Sequence, residues 1–202
     1  MIGETYGAVL AGGRSRRLGG KSKPLLRWGG GVLLSHALGV VRAVLPRVLV
    51  ISSDPSLDGY GERVPDRWVG AGPLGGIHAA LSAGAGQYCF VLACDMPLVP
   101  PELVALLVRQ AQPPYVAVVP RVGPHWEPLC AVYSTCLAAR AAALVSRGIR
   151  KVTALFDGLP VRAVEEPTLC QFGAPERLFL NINTREDYRR ARALVQEASP
   201  GD

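Results

Sequence analysis

The stretch Val9–Pro24 contains the residue types that bind phosphate groups. An apolar run, Tyr6–Leu10, leads into Ala11, Gly12 and Gly13, and the loop that begins there carries four glycines and five cations. Glycine lets backbone N–H groups approach a ligand closely, and clustered N–H groups form an anion-binding concavity. Five cations in one loop repel one another unless an anion neutralises them. The stretch predicts a site for a nucleoside triphosphate; a solvated basic turn is the alternative.

This loop differs from two familiar phosphate-binding motifs. Gly20–Ser22 looks like the end of a Walker A loop, but Ser15 stands where that motif needs a glycine. The motif also needs a helix that starts at its Lys-Ser pair, and Pro24 pushes the preceding residue out of the helical region. Gly12 and Gly13 are adjacent, so the dinucleotide pattern G-x-G-x-x-G is absent. The sequence therefore predicts a phosphate loop of another kind.

Later polar residues supply the groups that a metal ion or a phosphate would need. Asp95 follows the apolar run Tyr88–Ala93, and a lone carboxylate suits Mg²⁺, which binds through one or two carboxylates together with substrate phosphates. Asn181 and Asn183 alternate at the end of a predicted strand, Leu178–Ile182, so both amides are expected on one side of the chain. The alternative for these three residues is ordinary turn and cap chemistry.

The elements that must position these residues alternate between strands and helices. Predicted strands are Tyr6–Leu10, Arg47–Ile51, Glu62–Asp66, Tyr88–Ala93, Tyr115–Val119, Trp126–Tyr133, Val161–Val164 and Leu178–Ile182. Predicted helices are Val32–Leu45, Ile77–Ala83, one beginning at Pro100-Pro101, Thr135–Val145, and a last one that Thr184 caps with Asp187. This alternation predicts an α/β fold, a three-layer sandwich with a mostly parallel, Rossmann-like sheet, in a single domain over 1–202.

In such sheets ligands bind outside the carboxyl ends of the strands. The glycine loop, the Ser52-Ser53 pair, a second glycine-rich turn at Gly70–Gly76 and Asp95 each follow a strand or precede a helix at that edge. The order of elements therefore predicts that these four polar features share one site.

Composition narrows the class of protein. No apolar run reaches the ~18 residues that span a bilayer, and the first residues carry no signal-peptide pattern, so we expect a soluble cytoplasmic protein without a membrane partner. The net charge of +6 suits an anionic substrate, whereas 6% aromatic residues and the lack of a basic, aromatic-interleaved stripe make nucleic acid the weaker interpretation. Five cysteines without C-x-x-C predict no disulfide framework, and three scattered histidines predict no zinc site.

Four segments, taken in order, resemble the molybdenum cofactor guanylyltransferases. Val9–Lys23, Gly72–Gly76, Cys94–Pro97 and Asn181–Asp187 follow that family's pattern L-A-G-G-x-S-x-R-M-G-x-x-K, G-P-L-x-G, C-D-x-P and N-x-N-T-P-E-[DE]. The match runs over nearly the whole chain. The resemblance implies a nucleotide-binding α/β sandwich that joins GTP to the terminal phosphate of molybdopterin, with or without bound molybdenum, and releases pyrophosphate with Mg²⁺ as cofactor.

The resemblance also implies roles for individual residues. Arg17, Lys23 and Asp95 would be catalytic, with both cations holding the triphosphate and Asp95 binding Mg²⁺. Asp66 would lie near the base, and Arg150 would take the molybdopterin phosphate. The full set of implied substrate contacts is Leu10, Ala11, Gly12, Gly13, Lys23, Ser53, Asp66, Gly75, Arg150, Asn181 and Asn183.

Four positions depart from the family pattern. Leu18 replaces the usual Met, Ser22 replaces an Asp before the lysine, and Arg185 replaces a Pro. Ile51 occupies a place where an Asn can contact the base, so a nearby serine, Ser52 or Ser53, would have to substitute for it.

Other functions stay open at this stage. The same chemistry would serve a cytidylyltransferase for this cofactor or a sugar-1-phosphate nucleotidyltransferase; Ala11-Gly12-Gly13 favours the guanylyl enzyme by resemblance, because cytidylyl relatives tend to carry Ala-Ala-Gly. A non-catalytic carrier of nucleotide or molybdopterin is the alternative from another class. We expect a monomer, with transient contacts to molybdoenzymes or to upstream cofactor-synthesis proteins.

Overall fold

A computed structural model of the chain describes residues 5–12, 22–68, 70–84 and 86–197. Its strands are β1 (Thr5–Leu10), β2 (Arg27–Trp28), β3 (Gly31–Val32), β4 (Val48–Ile51), β5 (Arg63–Val64), β6 (Tyr88–Ala93), β7 (Ala117–Val122), β8 (His125–Trp126), β9 (Cys130–Ser134) and β10 (Val161–Glu165). Its α-helices are α1 (Leu33–Arg42), α2 (Pro73–Ser82), α3 (Pro101–Arg109), α4 (Ala138–Ser146), α5 (Glu166–Leu169), α6 (Pro175–Leu178) and α7 (Arg185–Glu197).

Eight of these strands form one sheet, in the order β10-β7-β9-β6-β1-β4-β5. Strand β8 lies off this path and pairs with the C-terminal end of β7. Strands β6, β1, β4 and β5 run parallel to one another, and β10 is parallel to β7. Strand β9 is antiparallel to both β6 and β7, which makes the sheet mixed but mostly parallel. Strands β2 and β3 form a separate two-stranded ribbon.

Helices cover both faces of the sheet. Neighbouring residues of β1 belong to opposite layers: Val9 packs in the cluster that contains the apolar faces of α1 and α3, and Ala8 packs in the cluster that contains those of α2 and α4. Strands that bury both faces read as continuous apolar runs, as β1 and β6 do. The predicted three-layer α/β sandwich is therefore confirmed.

Two predicted strands are wrong. Leu178–Ile182 is not a strand, because Leu178 ends α6 and the residues after it have no regular structure. The apolar run Trp126–Tyr133 is broken by Pro128, which cannot donate to a sheet ladder, so it forms the end of β8, a connection and then β9.

Most other elements were predicted with the right type and shifted ends. Helix α2 begins four residues before the predicted Ile77, because Pro73 can occupy a first helical turn. The predicted helix from Thr135 begins as a single 3₁₀ turn and becomes α4 at Ala138. The cap of the last helix is confirmed, since the Asp187 N–H donates to Thr184 Oγ1 at 3.1 Å.

No helix in the described ranges combines the length and apolar character needed to cross a membrane. All five cysteines are free thiols in the structure, and three of them, Cys89, Cys94 and Cys130, are fully buried.

Candidate active site

Lys23 and Asp95 are in direct contact at the carboxyl edge of the sheet. Lys23 is the first residue of a 3₁₀ turn whose second residue, Pro24, is buried. The Lys23 Nζ forms an ion pair with Asp95 Oδ2. The same Nζ donates to Asn183 Oδ1 at 2.8 Å. The Lys23 and Asp95 side chains are only 12% and 17% exposed, so solvent screens this pair less than a surface pair. Three segments far apart in sequence thus meet around one ammonium group.

The backbone around Asp95 fixes its carboxylate at this edge. The Cys94 N–H donates to the Leu10 carbonyl at 3.1 Å, which extends the pairing of β6 with β1 by one residue. The Met96 N–H then donates to the Ala93 carbonyl at 3.2 Å and turns the chain away. The Asp95 carbonyl accepts from the Ile182 N–H at 2.9 Å. This last bond holds the segment that carries Asn183 against the end of β6.

Asn183 is positioned by the cap of α7. Asp187 Oδ2 accepts from the N–H groups of Asn183 and Thr184 at 2.9 and 2.8 Å. Burial of the Asp187 carboxylate favours its neutral form, but these donors outweigh that effect and lower its pKa below the ordinary value. The capping pattern predicted Asp187 as a helix cap but not its indirect connection to Lys23 through Asn183. The signal was present, because Asn183 immediately precedes the capping residue.

The two asparagines do not act as a pair in this structure. Asn183 accepts from Lys23, whereas Asn181 Nδ2 donates to the Phe179 carbonyl at 3.1 Å. Residues 181–183 do not form a strand. The strand alternation from which both amides were expected on one side is therefore absent.

Asp66 lies against the first turn of α2. Its Oδ1 accepts from the Trp68 N–H at 2.9 Å, and its carbonyl accepts from Ser53 Oγ at 2.8 Å. A Cβ added at Gly75 would lie 3.0 Å from each Asp66 carboxylate oxygen and 2.9 Å from Ala71 Cβ. Glycine at 75 therefore gives the carboxylate its place beside the helix.

The side chains around Ile51 serve the fold. Ile51 is buried, and its carbonyl accepts from the Ala11 N–H at 2.9 Å. Ser52 is also buried, and its hydroxyl accepts from the Asp54 N–H at 3.1 Å in a turn. Ser53 is exposed and uses its hydroxyl to hold the Asp66 backbone. Of the two serines, Ser53 is the one that remains beside the site.

The start of the glycine loop is only partly within the described residues. Leu10 and Ala11 are buried, which leaves only their backbone for a ligand. Gly12 is exposed, and no atom of the described residues lies within 4 Å of the space that a Cβ would take there. Gly13, Arg17 and Leu18 lie outside the described residues.

Arg150 is placed apart from the Lys23 cluster. It is exposed and lines a shallow cleft of about 120 Å³. The other lining residues are Trp68, Gly70, Ala71, Val145, Gly148 and Ile149. This cleft adjoins the loop that carries Asp66, and no contact within the described ranges joins Arg150 to Lys23, Asp95 or Asn183.

A mostly parallel α/β sheet with a lysine and an aspartate in contact at its carboxyl edge has the architecture of a nucleotide-binding protein. Residues 7–163 match the family of MobA-like NTP transferase domains, and the chain belongs to that family.

Curated relatives match almost the whole chain. A protein of Pelotomaculum thermopropionicum named probable molybdenum cofactor guanylyltransferase is 39% identical, over 98% of this chain and 97% of the relative. A molybdenum cofactor guanylyltransferase of Syntrophotalea carbinolica is 34% identical, over 91% of this chain and 89% of the relative. The crystal structure of molybdopterin-guanine dinucleotide biosynthesis protein A from Archaeoglobus fulgidus superposes with a TM-score of 0.81 at 29% identity, covering 95% and 99% of the two chains.

Proposed function

We propose that this protein transfers the GMP group of GTP to the terminal phosphate of molybdopterin, giving a guanine dinucleotide and pyrophosphate. The observation that carries the proposal is the contact of Lys23 with Asp95 at the sheet edge where the glycine loop begins. A carrier that only holds a nucleotide does not need a carboxylate beside its phosphate-binding cation. The names of the relatives support guanine and molybdopterin as the substrates.

The residues present fit a divalent ion that arrives with the substrate. Asp95 Oδ2 and Asn183 Oδ1 are hard oxygen donors, and both already converge on one cation, Lys23 Nζ. Within the described ranges no cluster of three or more His, Cys, Asp or Glu residues forms a closed metal site. That is the pattern expected for Mg²⁺, which uses one or two carboxylates and completes its shell with phosphate and water. When bound, Mg²⁺ would supply positive charge to the reacting phosphates.

The reaction needs positioned charge more than a base. An oxygen of the molybdopterin phosphate attacks the α-phosphorus of GTP, and the bond from that phosphorus to the bridging oxygen breaks as pyrophosphate leaves. The attacking group is already anionic near neutral pH, so no side chain has to remove its proton. Lys23 would offset the charge that develops on pyrophosphate, and orientation of two bound reactants is worth up to roughly 7–11 kcal/mol. Arg17 is proposed to assist Lys23.

Recognition of guanine is assigned to Asp66. Guanine presents two adjacent N–H donors on one edge, which a single carboxylate can accept. Asp66 Oδ1 accepts from Trp68, and its carboxylate stays beside the first turn of α2, next to the proposed ligand edge. Arg150 is proposed to bind the molybdopterin phosphate from the neighbouring cleft.

We also propose that the protein works in the cytoplasm as a monomer and meets molybdoenzymes or upstream cofactor-synthesis proteins only transiently. The molecular mass of the purified protein in solution would test this. A stable dimer would contradict it.

The experiment that tests the function measures pyrophosphate release with molybdopterin and each of the four nucleoside triphosphates, with Mg²⁺ and with EDTA. We expect release only when GTP, Mg²⁺ and molybdopterin are all present. Release with CTP instead would identify a cytidylyltransferase. Release without molybdopterin but with a sugar 1-phosphate would identify a sugar nucleotidyltransferase. No release despite a GTP-dependent rise in melting temperature would indicate a carrier.

A further inference from the structure

Glu127 lies in the connection between β8 and β9, at the same sheet edge as Asp95. The Glu127 N–H donates to the Pro120 carbonyl of β7 at 2.9 Å. Two residues later, the Leu129 carbonyl accepts from the Ala93 N–H at 2.9 Å. Ala93 ends β6, and Asp95 is the second residue after it. The backbone on both sides of Glu127 is therefore held against the strands that border the candidate site.

Within the described ranges, the Glu127 carboxylate makes no hydrogen bond or ion pair that holds the fold together. It is half-buried, yet no cation or hydrogen-bond donor within the described ranges contacts it. Arg121, the cation on the same hairpin, is bound to Glu165 at 2.8 Å. The titratable neighbour is the buried thiol of Cys130, which is neutral because burial raises its pKa. Burial also raises the pKa of Glu127 to about 7. A half-buried carboxylate without a partner costs free energy of folding, which favours a ligand as its partner.

The sheet order places Glu127 opposite Asp66. Asp66 follows β5, Glu127 precedes β9, and β6, β1 and β4 lie between them. Four strand spacings of about 4.8 Å separate the two flanks by about 19 Å. Asp95 and Lys23 lie between the flanks, because Asp95 follows β6. With guanine assigned to the β5 side, the β9 side is free for the second substrate.

The chemistry of the second substrate matches a carboxylate. A pterin carries a 2-amino-4-oxo pyrimidine ring, whose ring N–H and amino group are two adjacent donors, the same pattern that guanine presents. Two parallel N–H···O bonds to a carboxylate are geometrically specific and stronger than neutral hydrogen bonds. We infer that Glu127 is a specificity-determining residue for molybdopterin and accepts both donors of its pterin ring. This inference rests on the proposed function.

The test compares the wild-type protein with Glu127→Gln, which replaces one acceptor oxygen with a donor and keeps the size. Glu102→Gln, at an exposed position in the first turn of α3, is the matched control. The measurements are the dissociation constant for molybdopterin under anaerobic conditions, the KM for GTP, and the GTP-dependent shift in melting temperature. We expect Glu127→Gln to weaken molybdopterin binding at least tenfold and to leave the GTP melting shift unchanged. We expect Glu102→Gln to match the wild type.

Three results would overturn the inference in distinguishable ways. Unchanged molybdopterin binding in Glu127→Gln, with normal wild-type turnover, would remove Glu127 from the pterin site and leave the proposed function standing. A weakened GTP melting shift would place Glu127 on the nucleotide side. Absence of molybdopterin binding and turnover in the wild type would reject the proposed function, and the inference with it. Because removal of the unpaired charge relieves the fold, a failure of Glu127→Gln to fold would also contradict the account.

Discussion

Lys23 and Asp95 could be identified as candidate site residues from sequence, but the contacts that position them could not all be predicted. Each could be selected from sequence, because one follows a glycine-rich cationic loop and the other terminates a buried strand. The parallel pairing of β1 with β6 brings the ends of these strands together, and Lys23 contacts Asp95 beside them across 72 positions of sequence. Asn183 was selected for its amide, but its partner was not foreseen, because the geometry around it depends on a helix cap rather than a strand.

Replacement of Lys23 by alanine is expected to lower kcat/KM by about two orders of magnitude, as for the loss of one preorganised contact to developing charge. The measurement is initial-rate pyrophosphate release at varied GTP. Arg109→Ala removes an exposed cation from the last turn of α3 and is expected to keep the wild-type rate. A change below threefold in Lys23→Ala would make Lys23 a structural residue only.

At the scale of elements, the first turn of α2 couples backbone packing to the site. Gly75 leaves room for the Asp66 carboxylate, and a methyl group there forces the carboxylate or Ala71 to move. That the glycine-rich turn forms part of the ligand edge stays a prediction. The contact itself was not predictable, because it depends on how the loop after β5 folds back on the helix.

Gly75→Ala is therefore expected to raise the KM for GTP at least fivefold and to lower the melting temperature. Gly39→Ala, in the middle of α1 with nothing within 4 Å of the added Cβ, is the matched substitution. Alanine there is expected to stabilise the protein by about 0.5–1 kcal/mol, since glycine is the poorer helix former. Equal behaviour of the two variants in thermal melts and GTP titrations would contradict the assigned packing role.

The errors at this scale have a common cause. Strand Leu178–Ile182 was predicted from apolar residues that instead pack against the sheet from outside it: Leu178 and Phe179 lie in the α1–α3 layer, and Ile182 packs with Trp28 and Leu33. Short apolar runs do not distinguish a strand from an irregular segment that covers a core. The break between β8 and β9 was missed because the run Trp126–Tyr133 is apolar on both sides of its proline.

At the scale of the whole molecule, the Glu127 carboxylate, which has no partner among the described residues, makes stability depend on pH. Its pKa rises from an ordinary 4.5 to about 7 in the folded state because of burial. The folded state therefore favours the neutral form of Glu127. The free energy of unfolding falls as pH rises from about 4.5 through 7, because the carboxyl group then ionises in the folded state. The shift corresponds to about 1–3 kcal/mol after allowance for partial exposure.

Glu127→Gln is accordingly expected to melt at a higher temperature than the wild type at pH 8 and at the same temperature near pH 4.5. Thermal melts of both proteins and of Glu102→Gln across this range would measure the difference. A Glu127→Gln protein that is less stable than the wild type at pH 8 would show that the carboxylate has a structural partner.

Order of elements and layer structure were predictable because the central strands β1, β4 and β6 are buried on both faces and many turns are marked by glycine or proline. The two flanks of the site were not, since they depend on the insertion of antiparallel β9 between β6 and β7. Because of that insertion, the connection before β9 lies beside the end of β6, on the side opposite β4 and β5. One side carries Asp66, the other carries Glu127, and the charge pair lies between them.

The most direct test of the account follows the α-phosphorus itself. The wild type and Asp95→Asn are incubated with molybdopterin, Mg²⁺ and GTP labelled at the α-phosphate, after melting curves have shown that both are folded. We expect the label in a guanine dinucleotide with the wild type and no transfer above background with Asp95→Asn. Label that stays in GTP or appears only in GDP with the wild type, or equal transfer by Asp95→Asn, would contradict a GMP transfer centred on the Lys23–Asp95 site.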